Sequence, residues 1–333
     1  MSPRIVYLSW PAKEITGGIK LAFRHVEILR EAGFDAIIAT PDGQPPQWFE
    51  TTAPVADLST LVRGEDALVF PENHHGLLKQ FAAWPNRKTV FCQSYFMTFR
   101  GLGGKESYAD FGVSAILAVS RQVAEFCRRR FPTLPTTHVP VFIDHRLFHF
   151  QSEKRLQIVF APRKRPQEAA FIRDLFQATY PEFRKLPWVE VAGVAEQKVA
   201  ELLKQSTIYL SLCRFEALPL SILEAFACGC VVAGFTGFGA REYITVNNGF
   251  WAAEDDCLDC VEQLARAVRL VAAGGSMHGD MLEVAHLAAN YYNRERLARR
   301  LVEFWRAFFN SAASGEAGAA SAVQPSPADG RQP

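Results

Sequence analysis

No stretch of this sequence is apolar for long enough to span a bilayer, and the opening MSPRIVYLSWPAKE breaks off its apolar run too early for a secretory signal. A cytoplasmic protein is therefore expected, with any membrane contact weak and peripheral. Charge of one sign is not in excess either. The 36 Lys and Arg against 35 Asp and Glu leave a formal net charge of +1, which argues against a nucleic-acid partner, since such binding usually shows a basic surplus. The 7 cysteines are odd in number and scattered through apolar segments, so reduced buried thiols are expected. Cys257 and Cys260 in CLDC have ligand spacing, but no second Cys/His pair lies at metal distance. No acidic cluster suits Mg²⁺, so neither a metal nor a bound cofactor is expected. The pattern GxGxxG is absent as well. A dinucleotide-binding first domain is thereby disfavoured, although Asp42 follows the second expected strand.

What is present is an ordinary soluble composition, 49% hydrophobic and 21% charged over 333 residues, enough for two domains. RIVYLS reads as a buried strand. Thr16 then offers an N-cap, Ile19, Ala22, Phe23, Val26 and Leu29 recur at helical spacing, Gly33 stops the helix, and FDAIIAT is the next strand. This β-α-β unit predicts a parallel sheet. The alternation continues through DALVF, KTVFC and AILAVS to an extended segment at 137–148. After a polar linker a second series begins: LQIVFA, a helix near 167–179, WVEVAG, the helix AEQKVAELLKQ, TIYLSL, a further helix and CVVAGF. The expected organisation is an α/β chain of two Rossmann-like domains. Its parts are an N-terminal domain at 1–148, a linker at 149–155, a C-terminal domain at 156–280, amphipathic helices at 281–310 and a small, polar, disordered tail at 311–333.

The most informative stretch is RFEALPLSILEAFACGC, residues 214–230. Pro219 suits the first helical position, Ile222, Leu223, Phe226 and Ala227 give the helix an apolar face, and Gly229 ends it. Glu216 is then placed on the loop at the carboxyl edge of TIYLSL, and Glu224 a turn or so into the helix. That edge is where open α/β sheets bind ligands. Two acids there suit the hydroxyls of a sugar and a ribose, and helix-start N–H groups suit phosphate. The plainer alternative is that both glutamates only favour the helix macrodipole.

The longer segment EALPLSILEAFACGCVVAGFTGFGAREYITVNNGF resembles the signature of the retaining glycosyltransferases of family 4. The order of pieces matches: two acids separated by seven residues, a strand, a Gly-rich loop with Gly237, Gly239 and Glu242, and an Asn-Gly turn at Asn248 and Gly249. The resemblance runs more weakly over most of residues 1–310. It implies a GT-B architecture, two Rossmann-like domains facing each other across a cleft that holds the active site. It also implies that Glu216 lies by the donor sugar, that Glu224 binds the nucleotide ribose, and that the N–H groups of Leu220 and Ser221 contact sugar or phosphate.

Departure of a nucleoside diphosphate builds negative charge that a site must meet with preorganised positive groups. VFAPRKRPQE supplies Arg163, Lys164 and Arg165 just after a strand. The family spaces its Arg and Lys about five positions apart, whereas here the bases are contiguous and Glu168 stands where Lys is expected. A solvated charge cluster is the plain reading of the same residues. Gly17 and Gly18 open the first helix, either as a plain helix start or, as the resemblance implies, beside the donor phosphates, where a missing side chain lets the backbone approach.

Gln93 follows KTVFC where many family members carry His, and it suits a hydrogen bond to a sugar hydroxyl. His74 and His75 read as helix-start surface residues. The basic run Arg128–Arg130, with Arg121, reads as a solvated face or as weak contact with anionic lipid. The rings of SYFMTF read as core or as sugar-stacking surface. The activity that the resemblance implies is metal-independent, retaining transfer from a nucleotide sugar to a hydroxyl of a glycan or lipid-linked acceptor. Alternatives are another GT-B enzyme, such as a sugar-nucleotide epimerase or a phosphorylase, and a degenerate glycan- or partner-binding protein.

Overall fold

The computed structural model describes residues 3–61 and 64–313. The first sheet contains β1 (Ile5–Leu8), β2 (Ala36–Thr40), β3 (Val55–Asp57), β4 (Ala67–Pro71), β5 (Lys88–Cys92), β6 (Val113–Ala118) and β7 (Thr136–His138). Its order is β3-β2-β1-β4-β5-β6-β7, every pair parallel, with Ile5 opposite both Ala36 and Ala67. Its longer helices are α1 (Gly17–Glu31), α2 (His75–Phe81) and α4 (Arg121–Arg130), with a short α3 (Thr98–Leu102) between α2 and α4. The apolar runs of β1 and β4 are buried along their whole length because helices cover both faces of such a sheet.

The second sheet is parallel and has the order β12-β11-β10-β8-β9. Its strands are β8 (Arg155–Phe160), β9 (Trp188–Glu190), β10 (Ser206–Glu216), β11 (Val231–Phe238) and β12 (Phe250–Trp251). Helices α5 (Pro166–Thr179), α6 (Glu196–Gln205), α7 (Leu220–Ala227) and α8 (Cys257–Ala273) flank it. CLDC is therefore the first turn of α8, capped by Asp256.

Two helices close the described chain. α9 (Ser276–Tyr291) packs on α7, and α10 (Arg294–Ala313) returns to the first domain. There Arg294 pairs with Glu31 at 2.7 Å, Arg87 donates to the Phe308 carbonyl, and Trp305 is fully buried in the first domain's core. That core continues into the faces of α6 and α7, while a separate apolar cluster fills the other side of the second sheet.

The two parallel sheets appear as expected. The helix α8 is additional, and so are the short edge strands β3 and β12, since two- and three-residue strands carry little periodicity. The expected extended segment at 137–148 is strand only over β7. β10 runs on to Glu216, so this acid ends a strand rather than lying on a loop, and Pro219 is the N-cap of α7 rather than its first residue. Most of the expected tail, from 314 on, lies outside the described residues.

Candidate active site

Strand ends from both sheets open on one cleft of about 980 Å³. The first domain contributes Trp10 after β1, Glu72 after β4, Gln93 after β5, and the loop and first turn of α1. The second contributes Arg163 and Lys164 after β8, Glu216 at the end of β10, and Leu220, Ser221 and Glu224 of α7. The carboxyl-edge rule places all of them, since every parallel strand points its C-terminal end the same way.

Glu216 reaches the cleft through a local irregularity. The register of β10 against β11 shifts between Cys213 and Glu216, and Phe215 sits in the left-handed region at φ 49°. Phe238, at the end of β11, is left-handed too, at φ 71°. A bulky residue in that region costs about 1–2 kcal/mol, and such strain concentrates at functional sites. The two rings stack at 6.1 Å, and Phe96 of the first domain packs on both, at 5.5 and 6.0 Å. Gly239 lets this corner close: a Cβ there would fall 2.2 Å from the Ala217 carbonyl carbon.

Lys164 is ion-paired with Glu216, both partly open to water, at 31% and 22% side-chain exposure. Arg163 lines the same cleft, and no carboxylate pairs with it among the described residues. Arg165 is corrected. Rather than facing a donor, its guanidinium is wholly buried, donating to the Cys213 carbonyl at 3.1 Å, pairing with Asp255 at 2.5 Å and with Glu254, and lying 4.2 Å over the Phe235 ring. It ties β8 to the end of β10 and to the loop before α8. Glu168, in the place expected for Lys, pairs with Arg214 at 3.1 Å and belongs to this same structural network.

Glu224 is buried near the cleft floor, and its partner comes from the opposite domain. Lys20 of α1 places its ammonium 3.1 Å from Glu224 and 2.6 Å from Glu196, and Arg24, one turn on, lies 3.4 Å from Glu196. The two carboxylates raise the Lys20 pKa against the opposing effect of burial, so the ammonium stays charged. Nothing in the α1 sequence singled out Lys20.

Gly17 approaches Leu220, its missing Cβ 3.6 Å from that side chain. Gln93 donates from Nε2 to the Gly18 carbonyl at 3.1 Å, and a Cβ on Gly18 would press to 3.0 Å from the Gln93 Oε1. Gln93 thus fixes the Gly-Gly turn besides lining the cleft. At the start of α7 no side chain caps the first-turn N–H groups, and the Tyr243 hydroxyl holds the Pro219 carbonyl at 2.6 Å. Leu220 and Ser221 are half-buried and border the cleft.

His74 caps α2, accepting from the Leu77 N–H at 3.3 Å, and stacks on Trp10 at 3.9 Å; His75 bonds the Gly101 carbonyl at 3.1 Å. Glu242 crosses to the first domain and accepts the Arg121 N–H at 3.0 Å, at the start of α4. Glu72 is a cleft residue that the sequence reading passed over. It is buried, yet it borders the cleft. Desolvation raises its carboxyl to about 7, against the opposing pull of N–H groups from its own backbone and from Gln93 and Ser94. The strand-end rule that selects Gln93 selects Glu72 equally.

Residues 150–289 match the family model described as glycosyl transferases group 1. An alpha-1,6-glucosyltransferase of Actinobacillus pleuropneumoniae serotype 7 is 24% identical over 274 residues, spanning 79% of this chain and 83% of that protein. Among solved structures, sucrose-phosphate synthase of Thermosynechococcus elongatus superposes with a TM-score of 0.66 at 14% identity, covering 93% of this chain and 100% of the other. Anabaena HepE in complex with UDP-glucose superposes at 0.63 and 12% identity, covering 92% and 100%. Residues 150–289 are thus similar to the group 1 glycosyl transferases, and the chain as a whole has the GT-B fold. Among the described residues no helix is long and apolar enough to cross a membrane.

Two outcomes follow from the cleft's buried charges. Lys20→Met leaves two facing carboxylates without their shared cation and should cost on the order of 3 kcal/mol in urea unfolding; an unchanged midpoint would contradict the bridge. Between pH 4.5, the ordinary value for a glutamate, and about 7, the native state keeps a proton on Glu72 that the unfolded chain has released. Glu72 therefore lowers stability as pH rises through that window. Relative to wild type, the melting temperature of Glu72→Gln should rise progressively from pH 4.5 to 7, and a difference independent of pH would refute the assignment.

Proposed function

We propose that the chain moves a hexosyl unit from a UDP-sugar to a hydroxyl of a glycan or glycolipid of the cell envelope, with retention at the anomeric carbon and without a metal ion. One observation carries this reading: Arg163, the Lys164–Glu216 pair, Glu224 and the uncapped start of α7 all border a single cleft. Similar solved structures support the donor, since HepE was solved with UDP-glucose and an alpha-glucosyltransferase with UDP and a 13-mer DNA.

In this scheme the diphosphate lies against Arg163 and Lys164 and the first-turn N–H groups of Leu220 and Ser221. Glu224 accepts the ribose hydroxyls with the part of its carboxylate that Lys20 leaves free. Glu216 orients the sugar and stabilises positive charge near its anomeric carbon. The bond between that carbon and the phosphate oxygen breaks, the acceptor oxygen bonds to the same face, and the acceptor proton passes to the departing phosphate. Two cationic side chains supply the charge that a metal ion otherwise supplies to a leaving diphosphate. Any membrane contact falls to the basic end of α4, where Arg128 and Arg129 are exposed.

A UDP-release assay and calorimetry test the assignments together. Glu216→Gln should lower kcat roughly 100-fold with little change in UDP affinity. Glu224→Ala should weaken UDP binding about tenfold or more. EDTA should leave wild-type turnover unchanged. Near-normal turnover in the first variant, an unchanged Kd in the second, or loss of activity with EDTA would each remove the corresponding part.

A further inference from the structure

The short turn after β5 joins two cleft groups that the donor scheme does not use. The backbone N–H groups of Gln93 and Ser94 lie beside the Glu72 carboxyl group. Two residues further on, the Phe96 ring packs edge-on against Phe215 at 5.5 Å. Glu72 is fixed from its other side as well, because the Tyr108 hydroxyl donates to its backbone carbonyl at 2.6 Å. Phe215 is 57% exposed although it immediately precedes Glu216, and Phe96 and Phe238 back its ring. An exposed ring on a left-handed backbone is unfavourable twice over, in strain and in unburied apolar surface. Packing within the domain does not account for that position, because the ring's open face borders the cleft.

We infer that Phe215 and Glu72 form the acceptor subsite, in which one ring of a saccharide acceptor stacks on Phe215 while a hydroxyl of the acceptor hydrogen-bonds the Glu72 carboxyl. This rests on the glycosyl-transfer reading and adds the acceptor's class and place to it. A pyranose ring suits the pair chemically. Its C–H face is apolar and carries partial positive charge, matching the negative face of an aromatic ring, and its rim carries hydroxyls. The position is also the one transfer requires, since the ring beside Glu216 is beside the sugar that Glu216 orients. Glu72 comes from the first domain and Phe215 from the second, so the subsite is complete only when the cleft is closed over it.

Saturation-transfer NMR tests this without relying on turnover. Maltopentaose, isomaltopentaose, cellopentaose and chitopentaose are each added to the full chain in the presence of UDP. At least one should show saturation of its ring C–H protons. Phe215→Leu should weaken that saccharide's binding roughly tenfold, Phe215→Tyr should restore it, and Glu72→Gln should weaken it severalfold. Phe171→Ala, an exposed ring on α5 away from the cleft, should leave it unchanged. Absence of saccharide binding, or equal binding by wild type, Phe215→Leu and Glu72→Gln, overturns the inference. UDP titrated in the same samples reports the donor site separately. If UDP binds and the saccharides do not, the failure belongs to the acceptor subsite; if UDP does not bind, it belongs to the donor reading.

Discussion

The arrangement depends on one ammonium group. Lys20 leaves the first helix of the first domain and reaches two carboxylates of the second, Glu196 at the start of α6 and Glu224 inside α7. Buried charges are stable only when paired and hydrogen-bonded, and here the pairing partners lie on different domains. The bridge therefore does more than offset desolvation. It fixes the distance between α1, with its Gly-Gly start, and α7, with its uncapped N-terminus. The diphosphate scheme needs those two helix starts on the same cleft. It also sets the state of Glu224, the acid assigned to ribose: one part of the carboxylate is committed to Lys20 and the remainder is available to a ligand. In the proposed scheme, the donor ribose and the contact between the two domains therefore share one carboxylate.

The neighbouring basic cluster shows how sharply position divides identical chemistry. Arg163, Lys164 and Arg165 are contiguous, yet only the first two border the cleft. The third turns under the sheet, where Asp255, Glu254 and the Phe235 ring enclose it. Arg165 still serves the site, because it anchors the end of β10 through the Cys213 carbonyl just before the strand bends to present Phe215 and Glu216. The strained corner at Phe215 and Phe238 is thus held from below by a buried guanidinium and from across the cleft by Phe96.

Much of this was legible in the sequence, for definite reasons. The strands β1, β4, β5, β8 and β10 announce themselves as apolar runs because both faces of a parallel sheet are buried. Once the sheet is parallel, its carboxyl edge selects Glu216, Gln93 and the bases after β8 without further information. The Pro-Leu-Ser start of α7 and Gly229 bracket a helix that places Glu224 inside it. What escaped were features set by partners distant in sequence. The fate of Arg165 is decided by acids some ninety positions away, and Lys20 looks like any surface lysine until α6 and α7 are brought against it. Glu72 is a different case: the strand-end rule that selects Gln93 selects it equally, and only its burial at the cleft sets it apart from the two histidines that follow.

The central claim is that this cleft receives a nucleoside diphosphate sugar with its phosphates against Arg163 and Lys164 and its ribose against Glu224. A crystal structure of the chain with UDP bound tests it most directly. The account predicts ribose hydroxyls within hydrogen-bond distance of Glu224 and phosphate oxygens on Arg163, Lys164 and the first-turn N–H groups of α7. UDP bound outside the cleft, or within it with neither Glu224 nor Arg163 in contact, would contradict the account.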